Sequence, residues 1–194
     1  IKNKVKTFFV PFGLGNHLKG WGVNQESIIE LNWDESANLN GIDFICLPAR
    51  HFSGRGPLNR NSTLWCSWAI KSEHGKIYFS GDSGYGNHFK TIGEMHGPFD
   101  LSFIDCGQYN VAWKYSHMIP EEAVKASKDL VSNYFMPIHW GAFTLSIHPW
   151  DEPVIRAINH AKKTNQKIIA PNLGQIILLG DDIDTKIIDW WNSY

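Results

Sequence analysis

Apolar residues along this chain fall into short runs broken by glycine, proline and asparagine, with no long uninterrupted stretch. In the first half, "VKTFFVPF", "SIIELNW", "GIDFICLPA", "STLWCSWAIK" and "KIYFSGD" are rich in β-branched and aromatic residues. Turn formers such as "DESANLNG" and "SEHGK" bound them, and the pattern predicts strands. "GNHLKGWGV", set between glycines, predicts a short helical excursion. Further on the period changes. "GNHFKTIGEMHG" reads as a helix and "FDLSFIDCG" as a buried strand. "PEEAVKASKDLV" has Pro120 suited to a first helical turn, with Glu121 and Glu122 at the positive end of the helix dipole. "NYFMPIHWG" is a strand that stops at a histidine, and "DEPVIRAINHAKKTN" a second helix with an acidic start and a basic end. "KIIAPNLGQIILL" closes the pattern with strands. Strands that dominate early and alternate with helices later predict a layered α/β architecture.

Composition narrows the function classes. With 194 residues and no internal repeat or linker, the chain reads as a single domain over 1–194. A formal net charge of -1 argues against a nucleic-acid partner held by bulk electrostatics. No stretch of eighteen or so apolar residues predicts a transmembrane helix. The start "IKNKVKTFFVPFG" has too short an apolar part for a signal peptide. Cys46, Cys66 and Cys106 are odd in number and lack CxxC spacing, which predicts free thiols and a cytoplasmic location. Nine tryptophans are many for this length, and "HWG", "HPW" and "DWW" place several beside polar groups.

The candidate chemistry lies where strands end. "FICLPARHFSGRG" delivers His51, "YFSGDSGYG" delivers Asp82 and "MPIHWGAF" delivers His139, each just beyond an apolar strand and beside glycine. Taken singly, His51 reads as a hydrogen-bonded loop histidine, Asp82 as an Asx-turn or helix cap, and His139 as a strand cap packed on Trp140. Residues at the same ends of neighbouring strands converge in space. Two imidazoles and a carboxylate in one repeated context favour a metal site, and an Asp can reach two cations at once.

The stretches "LPARHFSGRG", "YFSGDSGYG", "HMIPEEAV" and "MPIHWGAF" resemble, in order, motifs of the metallo-β-lactamase superfamily. More narrowly they are similar to the branch around N-acylphosphatidylethanolamine-hydrolysing phospholipase D and its bacterial relatives, as is the opening "FFVPFGLGNHLKGWGV". The resemblance implies an αββα sandwich of which this chain is the downstream portion. It also implies two Zn²⁺ ions, with Mn²⁺ or Fe²⁺ as alternatives, and hydrolysis of a phosphodiester by a hydroxide bridging them. His51 would bind the first ion, Asp82 would bridge both and His139 would bind the second. His117 in "SHMIPEEAV" would contact substrate phosphate or the leaving group, sharing the catalytic role with Asp82; its alternative is a surface histidine preceding a helix. His148 in "SIHPWDEP" would line the substrate pocket or pack on Trp150.

The family's His-x-His-x-Asp-His signature is absent, so the domain is expected to be incomplete at its N-terminus. Such a chain would be a homo-oligomer or pair with the missing upstream segment. "DCGQYNVAWKYSHM" departs from the family's "GAY-x-P-R" loop. A lactonase or other ester hydrolase, or an inactive fragment needing a partner chain, therefore stands as the alternative to a small or lipid-like phosphodiester substrate. Cys106 reads as a buried strand-end thiol ahead of a soft metal ligand. The remaining histidines, His17, His74, His88, His96 and His160, read as turn or helix-surface residues.

Overall fold

The computed structural model describes residues 2–54, 56–143, 145–180, 183 and 189–193. The chain opens with β1 (Phe8–Pro11), α1 (Gly15–Gly20) and β2 (Ile28–Leu31), and β1 pairs with β2 in parallel. Seven strands then form one sheet in sequence order: β3 (Ser36–Leu39), β4 (Ile42–Leu47), β5 (Ser67–Ser72), β6 (Gly75–Phe79), β7 (Phe99–Asp105), β8 (Ser132–Ile138) and β9 (Lys167–Ile168). Pairing is antiparallel from β3 to β6 and parallel from β6 to β9. The parallel crossovers carry α2 (His88–His96), α3 (Pro120–Asp129) and α4 (Glu152–Thr164).

Two elements differ from the sequence pattern. "DESANLNG" contains β3, a four-residue edge strand whose Ser36, Asn38 and Leu39 are exposed, so its short alternation buries no apolar face. Asn40 and Gly41, both with positive φ (52° and 81°), close a two-residue hairpin onto β4. At the other end, "KIIAPNLGQIILL" yields only the two-residue β9 and no strand over 175–179. Leu178 there is 81% exposed, and among the described residues the run pairs with no strand. The helices match their signals. Pro120 occupies the first turn of α3, where the Glu122 carboxylate accepts from the Ile119 N–H at 3.3 Å. In α4 the acidic start is Glu152, the basic end Lys162 and Lys163, and the left-handed Asn165 stops the helix.

One face of the sheet is the core. Ile45, Ala69, Tyr78, Ser102, Phe135 and Ile168 align across six strands and lie beneath α2, α3 and α4. The opposite face carries Phe44, Ile70, Ile77, Phe103 and Met136, all half-buried, and Phe79, which is 40% exposed. Phe9 of β1 stacks on Phe44 at one end of that face, and Ile177 and Ile183 pack on Leu101, Tyr134 and Ile169 at the other. Trp140, Trp150, Trp190 and Trp191 form a cluster that ties residues 190–191 to the loop after β8.

His88, the first residue of α2, is half-buried with Nε2 3.4 Å from Ser83 Oγ. Burial and then the Arg50 charge push its pKa down to about 4. The unfolded chain therefore takes up a proton near pH 6.5 that the folded chain refuses until about pH 4, and stability is lost as pH falls through that window. Allowing for partial exposure, the loss by pH 5 is about 1–2 kcal/mol. In urea titrations at pH 7 and pH 5, His88→Gln should lose less stability than the parent by that amount. Equal losses would show that His88 does not titrate this way.

Candidate metal centre

β4 and β6 are both antiparallel to β5 and therefore run the same way, and β7 and β8 are parallel to β6. Four strand C-termini thus lie along one edge of the sheet, where ligands of open α/β sheets gather. His51 follows β4, Asp82 follows β6, Asp105 is the last residue of β7 and His139 comes directly after β8. His117 reaches the same edge from the loop before α3.

The side chains meet there. Atoms able to bind a metal on His51, Asp82 and His117 lie within 4.8 Å of one another, as do those on Asp105, His117 and His139. Asp82 Oδ2 is 3.9 Å from His139 Nε2, which joins the two groups through a second contact. The His117 ring is 5.4 Å from that of His51 and 5.3 Å from that of His139, centroid to centroid. The sequence-predicted trio of His51, Asp82 and His139 is therefore brought together, with Asp82 between the two histidines. Asp82 and His139 are open at the mouth of the site, and Asp105 closes its floor with 0% exposure.

Asp105 is the residue that sequence reasoning missed. Its signal was present, because "FIDCG" repeats the pattern of apolar strand, acid and glycine that singled out Asp82. The carboxylate accepts from His117 Nδ1 at 2.9 Å, from the Ser83 N–H at 3.1 Å and from the Gly107 N–H at 3.3 Å. Burial pushes the Asp105 carboxyl up, with the His117 bond and charge opposing. Burial alone would push the His117 pKa down, but the bond to Asp105 and the charges of Asp105 and Asp82 outweigh it and hold it above the usual histidine value. The surface-histidine alternative for His117 is thereby corrected: it is a half-buried ring whose Nδ1 is committed to Asp105, while among the described residues its Nε2 makes no hydrogen bond. A carboxylate fixing one ring nitrogen is a common support for a histidine that acts at a metal centre.

Neighbouring loops are fastened to one another. The Arg50 N–H donates to Ser83 Oγ at 3.0 Å, the Gly84 N–H to the Arg50 carbonyl at 2.9 Å, and the Arg50 guanidinium to the Tyr85 carbonyl at 2.7 Å. That guanidinium also lies 4.3 Å over the Tyr115 ring, which links the His51 and Asp82 loops to the loop of His117. His148 does not pack on Trp150: its ring stacks on Tyr109 at 4.3 Å, and Nδ1 lies 2.8 Å from the Pro149 carbonyl oxygen. It lines a cavity of about 570 Å³ together with His117, Val111, Lys114, Ile147 and Arg156. Cys106 is fully buried in the helix-covered core, its Sγ 3.8 Å from the Pro153 carbonyl oxygen.

The sequence model of the beta-lactamase superfamily domain matches residues 1–140, which include every one of these strand-end residues. The chain belongs to the metallo-β-lactamase superfamily. Among curated relatives, a Mycobacterium tuberculosis protein is 48% identical over 187 residues, 95% of this chain and 50% of its own length. N-acyl-phosphatidylethanolamine-hydrolyzing phospholipase D 1 of Caenorhabditis elegans is 40% identical over 148 residues, 71% of this chain and 42% of its own. The chain thus spans about half the length of the curated relatives it matches. Igni18, a metallo hydrolase of the archaeon Ignicoccus hospitalis, shares the fold with a TM-score of 0.66 at 21% identity, over 87% of this chain and 66% of that one.

Membership of the superfamily agrees with the mixed α/β sheet flanked by helices. No helix among the described residues is long and apolar enough to cross a membrane.

Proposed function

We propose that this chain carries one side of the active site of a metal-dependent phosphodiester hydrolase similar to the N-acylphosphatidylethanolamine phospholipases. The observation that carries this reading is the meeting of His51, Asp82, His117 and His139 on one sheet edge, with the ring of His117 set by buried Asp105. Nitrogen and carboxylate donors without a soft thiolate suit Zn²⁺ or another borderline divalent ion. His51, Asp82 and His139 would hold the metal, with Asp82 shared between two ions. Metal bound there would bring a coordinated water toward neutral acidity and polarise a phosphoryl oxygen.

The protein's own groups supply the rest. With Nδ1 bonded to Asp105, His117 would present Nε2–H to the departing oxygen, and a pKa above the usual histidine value suits a proton donor. Asp105 keeps the ring in that tautomer. The cavity shared by His117 and His148 would receive the remainder of the substrate. Its Val111 and Ile147 are more than 90% exposed, and Lys114 and Arg156 add positive charge, which fits an amphiphilic anion. The half-covered sheet face would be buried in the working protein, by further chain or by a second copy.

Metal analysis with parallel assays on bis(p-nitrophenyl) phosphate and a simple lactone tests this reading in the full-length protein. Metal bound with the phosphodiester turned over and the lactone untouched is the expected result. Lactone turnover alone would replace the phosphodiesterase by a lactonase on the same fold, and a protein that binds no metal would end the reading. Light scattering of the isolated 194-residue chain should show association; a monomer would argue against burial of the sheet face between copies.

A further inference from the structure

Two glycines stand where the ligand-bearing loops touch, and neither has a positive φ that would demand glycine for its backbone. A Cβ on Gly107 would lie 1.9 Å from the His139 carbonyl oxygen, 2.6 Å from its carbonyl carbon and 3.0 Å from the Trp140 nitrogen. A Cβ on Gly84 would lie 2.5 Å from the Tyr115 carbonyl carbon, 2.7 Å from its oxygen and 2.8 Å from the Lys114 carbonyl oxygen. All six neighbours are backbone atoms, so no side chain can swing aside. Glycine at such a place marks a close approach of two backbones.

The loops that meet at these points are those that carry the site. Gly84 lies two residues after Asp82 and presses on the segment that leads to His117. Gly107 lies two residues after Asp105 and presses on the peptide of His139, itself held at φ 66°. The Gly107 N–H also donates to Asp105 Oδ1, and the Cys106 N–H to the Ile138 carbonyl at 3.0 Å, so β7 and β8 stay paired up to the contact.

We propose that Gly84 and Gly107 are positioning residues of the metal site: by bearing no side chain they set the distance from Asp82 to His117, and from the Asp105–His117 pair to His139. Metal sites depend on donor placement to within about 0.5 Å, and a methyl group at either point forces a larger shift. The inference rests on the reading that these side chains bind metal, and one arm of its test is independent of that reading.

The test compares Gly84→Ala, Gly107→Ala and a control, Gly93→Ala, in the full-length protein. A Cβ on Gly93 would come 2.1 Å from the Asp129 carbonyl oxygen, an equal crowding between α2 and the end of α3, away from the site. In the metal-free protein, nitrogen-15 spectra of the histidine rings report the His117–Asp105 hydrogen bond and the neighbouring rings. With Co²⁺ as the probe, its visible bands and dissociation constant report donor geometry. Both site variants should shift the His117 and His139 ring signals, change the Co²⁺ bands and weaken Co²⁺ by at least about tenfold, the scale of a disturbed supporting contact. Their kcat should fall more than KM changes. Gly93→Ala should lower the melting temperature while the ring signals and Co²⁺ bands stay as in the parent. Parental ring signals and Co²⁺ affinity in both site variants would overturn the proposal. So would failure of both to fold while Gly93→Ala folds, because the glycines would then serve the fold alone. A parent that takes up no Co²⁺ would defeat the metal reading, and the ring signals would still decide the role of the glycines.

Discussion

Asp82→Asn in the full-length enzyme is expected to lower turnover by at least about 100-fold, to reduce metal content and to leave the fold intact. Loss of a supporting group around a metal reaches that scale, and loss of a ligand shared by two cations should exceed it. The amide keeps the shape of the carboxylate but removes the negative charge that lies 3.9 Å from His139 and within 4.8 Å of donor atoms on His51 and His117. Among the described residues, Asp82 accepts none of the hydrogen bonds that join its loop to its neighbours. Those run through Ser83, Gly84 and Tyr85 to Arg50. The circular dichroism spectrum and melting temperature of the metal-free variant should therefore match those of the parent. Unchanged turnover with unchanged metal stoichiometry would count decisively against a bridging role.

His117→Gln should lower kcat by about 10²–10⁴-fold, the usual worth of a positioned proton donor, while most of the metal is retained. Asp105→Asn should reproduce much of that loss without touching His117 itself. An amide can still accept from the Ser83 or Gly107 N–H, but an NH₂ turned toward His117 Nδ1 would favour the wrong tautomer. Because Asp105 is fully buried, the comparison needs a measured unfolding free energy for each variant. Metal-replete Asp105→Asn protein with full activity would show that the dyad does not operate in turnover. A His117→Gln variant that loses its metal along with its activity would instead make His117 a ligand.

Element types were largely legible because most strands carry strong β formers between turn residues, and α3 and α4 have acidic starts and basic ends. Where the local rule fails, a neighbour decides. β3 is short and mostly exposed, and becomes a strand because the Asn40-Gly41 turn folds it back on β4. Residues 176–179 are apolar yet form no strand. His51, Asp82 and His139 could be singled out because each follows its strand by one to four residues, close enough for the strand to aim it.

What the sequence by itself determined about this protein is therefore a superfamily, an α/β layering and three side chains delivered to strand ends. Tertiary structure alone decided that those ends share one edge, since strand direction follows from pairing between residues far apart in the chain. It also decided that His117, twelve residues beyond Asp105, turns back onto it, and that Gly84 and Gly107 lie at contacts between loops. A hydrogen bond or a close backbone approach is a relation between two distant segments. Neither segment carries it in its own pattern, so it comes into being only when the sheet has set them side by side.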